Sequence, residues 1–219
     1  MEGMKQLGDK SVDLVITSPP YNANVRLHSD KFVKINDWKD NRRKYTNFDD
    51  AMMPEEYYQW QSKVIKELLR VCKNEIFYNI QMLSSNKLAI FKIFGEFAEN
   101  IKEIFIWDKR YGEPAIQHNV ANSCYEFIIV FSNNEPIKRA FNTAQFERGT
   151  FDNVLRIGKH SRNKHSEIHT AIFPIQLPRT LIKNFSKEGD LVLDPFMGCG
   201  TVAVACKQLN RNFIGYDIN

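Results

Sequence analysis

The chain has 219 residues, 43% of them apolar, which is enough for one substantial domain with its own core. No apolar run approaches the roughly 20 residues of a membrane-spanning helix, and no charged-then-apolar leader opens the chain. Thirty Lys and Arg against 26 Asp and Glu leave a net charge of +4, a mild bias compatible with nucleic acid without requiring it.

In chain order, a strand is expected over residues 12–17, followed by a polar stretch, 22–50, that reads as a long loop. Residues 54–71 carry Tyr57, Trp60, Val64, Leu68 and Val71 at helical spacing. A strand over 75–80 and a second helix over 86–100 follow, the helix with Leu88, Phe91, Phe94 and Phe97 as its inward stripe. Strands over 103–107 and 126–131 lead into another long segment, 133–169, which mixes polar residues with isolated aromatics. A helix over about 175–185, a strand over 191–194, a helix over 201–209 and a strand over 212–216 complete the chain. Strands alternating with helices predict an α/β fold, a doubly wound and mostly parallel sheet covered on both faces.

The segment 133–169 concentrates positive charge. From Lys138 to His165, the cations Lys138, Arg139, Arg148, Arg156, Lys159, Arg162 and Lys164 face only Glu147 and Asp152, a local excess larger than that of the whole chain. A charge run is ordinarily a solvated face. The interleaved Phe141, Phe146 and Phe151 favour a nucleic-acid grip instead, with cations on phosphates and aromatic wedges between bases.

Two motifs carry chemistry. Asp194-Pro195-Phe196-Met197-Gly198-Cys199-Gly200-Thr201 follows the apolar run Leu191-Val192-Leu193 and opens a helix. Glycines there allow close approach of a ligand to the backbone, and the helix start offers free amide groups. Asp217 ends the next strand, near the spacing at which a carboxylate reaches ribose hydroxyls in nucleotide-binding folds. The third glycine of a dinucleotide fingerprint is missing, which argues against NAD and for another adenosine cofactor. The second motif, Thr17-Ser18-Pro19-Pro20-Tyr21, ends the first strand. Its prolines stiffen the backbone and hold the Ser18 and Pro19 carbonyls in fixed directions. Such a corner can bind an exocyclic amino group while Tyr21 stacks on the ring that bears it.

Together these motifs resemble the DNA amino-methyltransferases, which use S-adenosylmethionine to methylate an exocyclic base nitrogen. The order, catalytic motif first and cofactor motif last, is similar to the permuted beta class, with the target-recognition region between them. Trp107-Asp108-Lys109, Tyr125-Glu126 and the segment 169–174 followed by Leu177 extend the resemblance over nearly the whole chain. It implies a Rossmann-like methyltransferase fold in which residues 1–219 form one catalytic domain and 133–169 a target-recognition insert. It implies S-adenosylmethionine bound by Phe196, Gly198, Gly200 and Thr201, with Asp194 near its methionine end, Asp217 on its ribose and Phe173 in its pocket. Ser18, Pro19, Pro20 and Tyr21 would hold the extruded target base. Hydrogen bonds from both amino protons would free the nitrogen lone pair for attack on the sulfonium methyl, at a flipping cost of a few kcal/mol.

Serine before Pro-Pro-Tyr favours the N4 amino group of cytosine, with N6 of adenine as the alternative. A non-catalytic DNA-binding subunit retaining the fold is the rival from another class. RNA and protein amide methyltransferases share the Pro-Pro-Tyr device but place the cofactor motif first. No ring-carbon chemistry is expected, because none of Cys72, Cys124, Cys199 and Cys206 follows a proline. Those cysteines show no CxxC or Cys/His zinc spacing and read as reduced thiols. No Asp/Glu/His cluster suggests a metal. The implied partners are double-stranded DNA, a second copy as homodimer and a cognate restriction endonuclease, in the cytoplasm of a prokaryotic or phage-type system. The resemblance also implies a strand before Met1 and a helix after Asp217, so that either a chain cut at both ends or an open sheet edge is expected.

Overall fold

The computed structural model describes residues 2–28, 31–34, 48, 50–112, 118–158 and 174–217. Its elements in order are α1 (Glu2–Lys5), β1 (Leu14–Thr17), β2 (Val25–His28), β3 (Lys31–Lys34), α2 (Pro54–Val71), β4 (Glu75–Ile80), α3 (Lys87–Glu96) and β5 (Ile101–Asp108), then β6 (Tyr125–Ser132), β7 (Val154–Arg156), α4 (Gln176–Phe185), β8 (Leu191–Asp194), α5 (Thr201–Gln208) and β9 (Asn212–Gly215). Seven strands form one sheet in the order β7-β5-β6-β4-β1-β8-β9. Only β6 runs against its neighbours, so the sheet is mostly parallel, as the alternation of the sequence implies. Among the described residues no helix is long and apolar enough to cross a membrane.

Alternate residues of the central strands feed two cores, as expected when both faces of a sheet are covered. Val15, Ile76, Tyr78, Ile129 and Leu193 pack with α1, α2 and α3. Leu14, Ile16, Phe77, Ile128, Val130 and Val192 pack with α4 and α5 on the other face. The chain leaves β1 for α2 and returns at β4 on one side; it leaves β8 for α5 and returns at β9 on the other. Between β1 and β8 the connections therefore diverge, which opens a crevice at the carboxyl ends of those two strands.

Helix α2 has the expected bounds, with Tyr57, Val64, Leu68 and Val71 buried and Trp60 half-buried, Pro54 at its first position and Glu55 and Glu56 in its first turn. In α3 the inward stripe differs from the sequence expectation. Ala89, Ile90, Ile93 and Phe97 are buried, whereas Leu88 and Phe91 face solvent. The helix is apolar nearly all round, so its pattern leaves the inward face open and contact with α2 selects it. The two long loops contain structure of their own: the antiparallel hairpin β2–β3 in the first, and β7, paired in parallel with β5, in the second.

A second correction concerns the aromatics of the segment after β6. Phe141, Phe146 and Phe151 are half-buried and pack on Phe185 of α4 at ring-centroid distances of 5.0, 5.6 and 5.4 Å. They pack against the core rather than standing free as wedges for bases, because their apolar rings gain contact with the Phe185 cluster. Phe77 and Phe105 join the same ring cluster around Phe185, at 4.6 and 5.9 Å. Phe185→Ala is therefore expected to lower the unfolding free energy by roughly 3–5 kcal/mol in urea denaturation. A loss under about 1 kcal/mol would show that this ring does not fasten the segment to the sheet.

Candidate functional site

Both motifs lie at the β1/β8 crevice and touch. Thr17 Oγ1 donates to Asp194 Oδ1 over 2.8 Å, with both residues buried. The same carboxylate oxygen accepts the Phe196 amide at 3.1 Å, which turns the chain sharply out of β8. Desolvation pushes the Asp194 carboxyl up to about 7, and the nearby Asp217 charge adds to the shift, while the bonds from Thr17 and Phe196 oppose it.

The glycine bend is held from β9. Met197 N donates to the Tyr216 carbonyl at 2.9 Å and Gly198 N to Asp217 Oδ2 at 2.8 Å. Gly198 and Gly200 have φ of +50° and +78°, a region that side-chain-bearing residues rarely adopt, and a Cβ on either would meet nothing within 4 Å. Their backbone is thus bare towards open space. Gly215, which the sequence does not mark, matters for a different reason: a Cβ there would come within 2.1 Å of Met197 Sδ, so a larger residue would require the Met197 side chain to shift. Phe196 is half-buried, its ring 5.6 Å from that of Trp60 on α2.

The Ser18–Tyr21 corner is fastened from several elements. Tyr57 of α2 donates to the Pro20 carbonyl at 2.6 Å and itself accepts from Gln61. Asn86 donates to the Tyr21 carbonyl at 2.9 Å. Asn22 takes a left-handed φ of +60°, which Asn tolerates, and its amide and that of Ala23 donate to the Asp50 carboxylate at 2.7 and 3.1 Å. Among the described residues no donor reaches the Pro19 carbonyl.

The Tyr21 ring is partly exposed while its hydroxyl is enclosed by polar groups. Ser18 Oγ lies 2.7 Å from it, Glu126 Oε2 accepts its proton at 2.9 Å, and Asn79 Nδ2 donates to it at 2.7 Å. Asn79 Nδ2 also donates to Glu126 Oε2 at 2.7 Å, and buried Lys109 pairs with Glu126 Oε1 at 3.1 Å. Burial, and then the Glu126 charge, push the Tyr21 phenol well above its ordinary value, so it stays protonated. Asn79 is visible in the sequence as a polar residue at the carboxyl end of an otherwise apolar strand, a signal outside both motifs.

The basic residues divide. Lys138 and Arg139 follow β6, whose end pairs with the start of β4, and they are bonded to Glu135 and Glu103. Near them the Gln145 amide bonds the Asn184 carbonyl at the end of α4. This is the amino edge of the parallel strands, the opposite edge from Ser18 and Asp194. The structure therefore does not bring Lys138 and Arg139 to the crevice; pairing of β6 against β4 carries them away from it. Arg148 is exposed in the turn between Phe146 and Phe151. Arg156 ends β7 beside Asp108, at the carboxyl edge, where exposed Arg110 bonds its carbonyl at 3.2 Å. Lys159, Arg162, Lys164 and Phe173 lie outside the described residues.

Comparison with known proteins accords with this geometry. The family model described as DNA methylase (N6_N4_Mtase) matches residues 12–219. The chain belongs to this DNA methylase family. It is 27% identical over 250 residues to the type II methyltransferase M.BglII of Bacillus subtilis, covering all of this chain and 63% of that protein. With M.HpaI of Haemophilus parainfluenzae the figures are 29% over 238 residues, covering all of this chain and 68% of the relative. The fold is shared with the PvuII DNA methyltransferase (cytosine-N4-specific), at a TM-score of 0.71 and 17% identity, over 99% of this chain and 78% of that one. It is also shared with a DNA modification methylase of Thermus thermophilus complexed with S-adenosyl-L-methionine, at a TM-score of 0.60 and 18% identity, over 100% and 84% of the two chains.

The raised Asp194 carboxyl sets a pH dependence. The folded chain holds that proton more tightly than the unfolded chain, whose aspartate keeps the ordinary value of 3.8. The associated stabilisation is complete below about pH 4 and is lost as pH rises through about 7. Relative to Asp194→Asn, the wild-type unfolding free energy is expected to fall by roughly 2–4 kcal/mol between pH 4 and 7.5 in denaturant titrations. Parallel profiles for the two proteins would refute the assignment.

Proposed function

We propose that this domain transfers a methyl group from S-adenosylmethionine to the exocyclic N4 amino group of cytosine in double-stranded DNA. The observation that carries the reading is the Thr17–Asp194 hydrogen bond, which joins the Ser-Pro-Pro-Tyr corner to the glycine bend across one crevice. A base amino group and a cofactor held by the two motifs would meet there.

The residues present fit the cofactor. The bare backbone at Gly198 and Gly200 admits a ligand, the Phe196 ring offers an apolar wall, and Asp194 and Asp217 supply the carboxylates that suit a cationic, hydroxylated molecule. Asp217 would serve the ribose while also bonding the Gly198 amide, and Thr201 would contribute from the first turn of α5. When bound, S-adenosylmethionine supplies an electrophilic sulfonium methyl. The protein's part is to hold the amino nitrogen in line with it. Ser18 Oγ and the Pro19 carbonyl would accept the two amino protons, Pro20 keeps that carbonyl rigid, and Tyr21 would stack on the extruded ring, worth about 1–3 kcal/mol.

The DNA-facing side is the carboxyl edge, with Arg156 and Arg110 as phosphate contacts; Lys159, Arg162 and Lys164 continue the chain from Arg156. Serine at position 18 favours cytosine, and N6 of adenine is the second reading, since the matched family takes both amino groups in its name.

Incubating plasmid DNA with the protein and labelled cofactor, then digesting to nucleosides, is expected to yield N4-methylcytosine. N6-methyladenine would establish the second reading, and no labelled nucleoside would overturn both. Tyr21→Ala should lower kcat/KM by about tenfold to a hundredfold, the loss of one stacking contact. Unchanged turnover would remove the Tyr21 assignment.

A further inference from the structure

A serine hydroxyl is ambiguous at the position where the proposed reaction needs an acceptor, because it can donate as readily as it accepts. The polar groups behind it resolve the ambiguity. Glu126 sits on β6 with its carboxylate paired to buried Lys109 at 3.1 Å, and a carboxylate can only accept. Tyr21 lies 2.9 Å from that carboxylate and has one proton. Were the proton turned elsewhere, lone pairs would face lone pairs at that distance, so the Tyr21 hydroxyl donates to Glu126. Asn79 must likewise point its amide nitrogen at both the Tyr21 hydroxyl and Glu126, at 2.7 Å each, since its carbonyl oxygen would repel the carboxylate. With its proton committed, the Tyr21 oxygen can only accept from Ser18, 2.7 Å away.

We infer that Glu126, anchored by Lys109 and acting through the Tyr21 hydroxyl, draws the Ser18 proton inward and presents Ser18 Oγ to the target base as a hydrogen-bond acceptor. Glu126 and Lys109 are positioning residues: neither faces the crevice, and each acts through the next group in the chain. The serine is thereby given the polarity of a carboxylate without its charge. Tyr21 carries two separable functions, its ring towards the base and its hydroxyl towards Glu126. The inference rests on the methyl transfer proposed above and explains how a Ser-Pro-Pro-Tyr corner performs it.

Tyr21→Phe keeps the ring and removes the relay; Glu126→Gln keeps the shape and permits the reverse polarity. Both variants are to be assayed for steady-state methylation of plasmid DNA, cofactor affinity by calorimetry and thermal midpoint. Each is expected to lower kcat about tenfold or more, with KM for DNA and affinity for the cofactor within about twofold of wild type. The double variant should be no slower than the slower single variant, as residues acting in one chain are non-additive. Wild-type kcat in Tyr21→Phe overturns the inference, as do additive losses or losses that appear only in KM or cofactor affinity. Should Glu126→Gln fail to fold with Lys109 left unpaired, Tyr21→Phe decides alone. A wild-type protein that methylates no DNA overturns the proposed function itself, an outcome distinguishable from normal wild-type turnover with insensitive variants.

Discussion

The Thr17–Asp194 hydrogen bond is the constraint on which the crevice depends. It ties two residues far apart in sequence at the carboxyl ends of adjacent parallel strands, and it is shielded from water on both sides. A buried carboxylate with so few donors is expensive in an apolar setting, and its proton affinity rises accordingly. The fold keeps it because the same oxygen that accepts from Thr17 also accepts from Phe196 and so sets the direction in which the chain leaves β8. One atom thus fixes the distance between the two motifs and the start of the glycine bend.

Around that point the structure uses rigid elements to hold short irregular ones. The proline corner has little regular structure of its own, yet α2 reaches it through Tyr57, the segment before α3 through Asn86, and the segment before α2 through Asp50. The bend is held by Tyr216 and Asp217, and the Met197 side chain packs closely over Gly215. Groups that would meet a base and a cofactor in the proposed reaction are supported from behind by strands and helices of the core.

The polar cluster at Tyr21 applies the same logic to protons. Lys109 and Glu126 stand on β5's continuation and on β6, the one strand of the seven-stranded sheet that runs against its neighbours, and the sheet brings them beneath a corner that begins at β1. A buried ion pair is weak evidence for stability. Its location behind the hydroxyls is better explained by the direction it imposes on them. Polarity set by an ion pair lets neutral groups at the surface of the crevice behave as fixed acceptors.

Much of this protein was written locally. Strand and helix alternation announced the mostly parallel sheet, Pro54 and its acidic first turn marked the start of α2, and the motifs at Thr17–Tyr21 and Asp194–Thr201 identified the chemistry, because each depends on residue types within a few positions of one another. Where the apolar pattern was ambiguous, as in α3, or where aromatics were scattered without period, as at Phe141, Phe146 and Phe151, contacts with distant elements decided burial. Charge clustering in sequence likewise did not specify which edge of the sheet a cation reaches: Lys138 and Arg139 were carried to the amino edge and Arg156 to the carboxyl edge by the pairing of β6 and β7. The role of Glu126, the close approach of Gly215 to Met197 and the meeting of Thr17 with Asp194 belong to tertiary structure alone. Strand order, which no local pattern encodes, is what brings those residues within hydrogen-bonding or van der Waals reach.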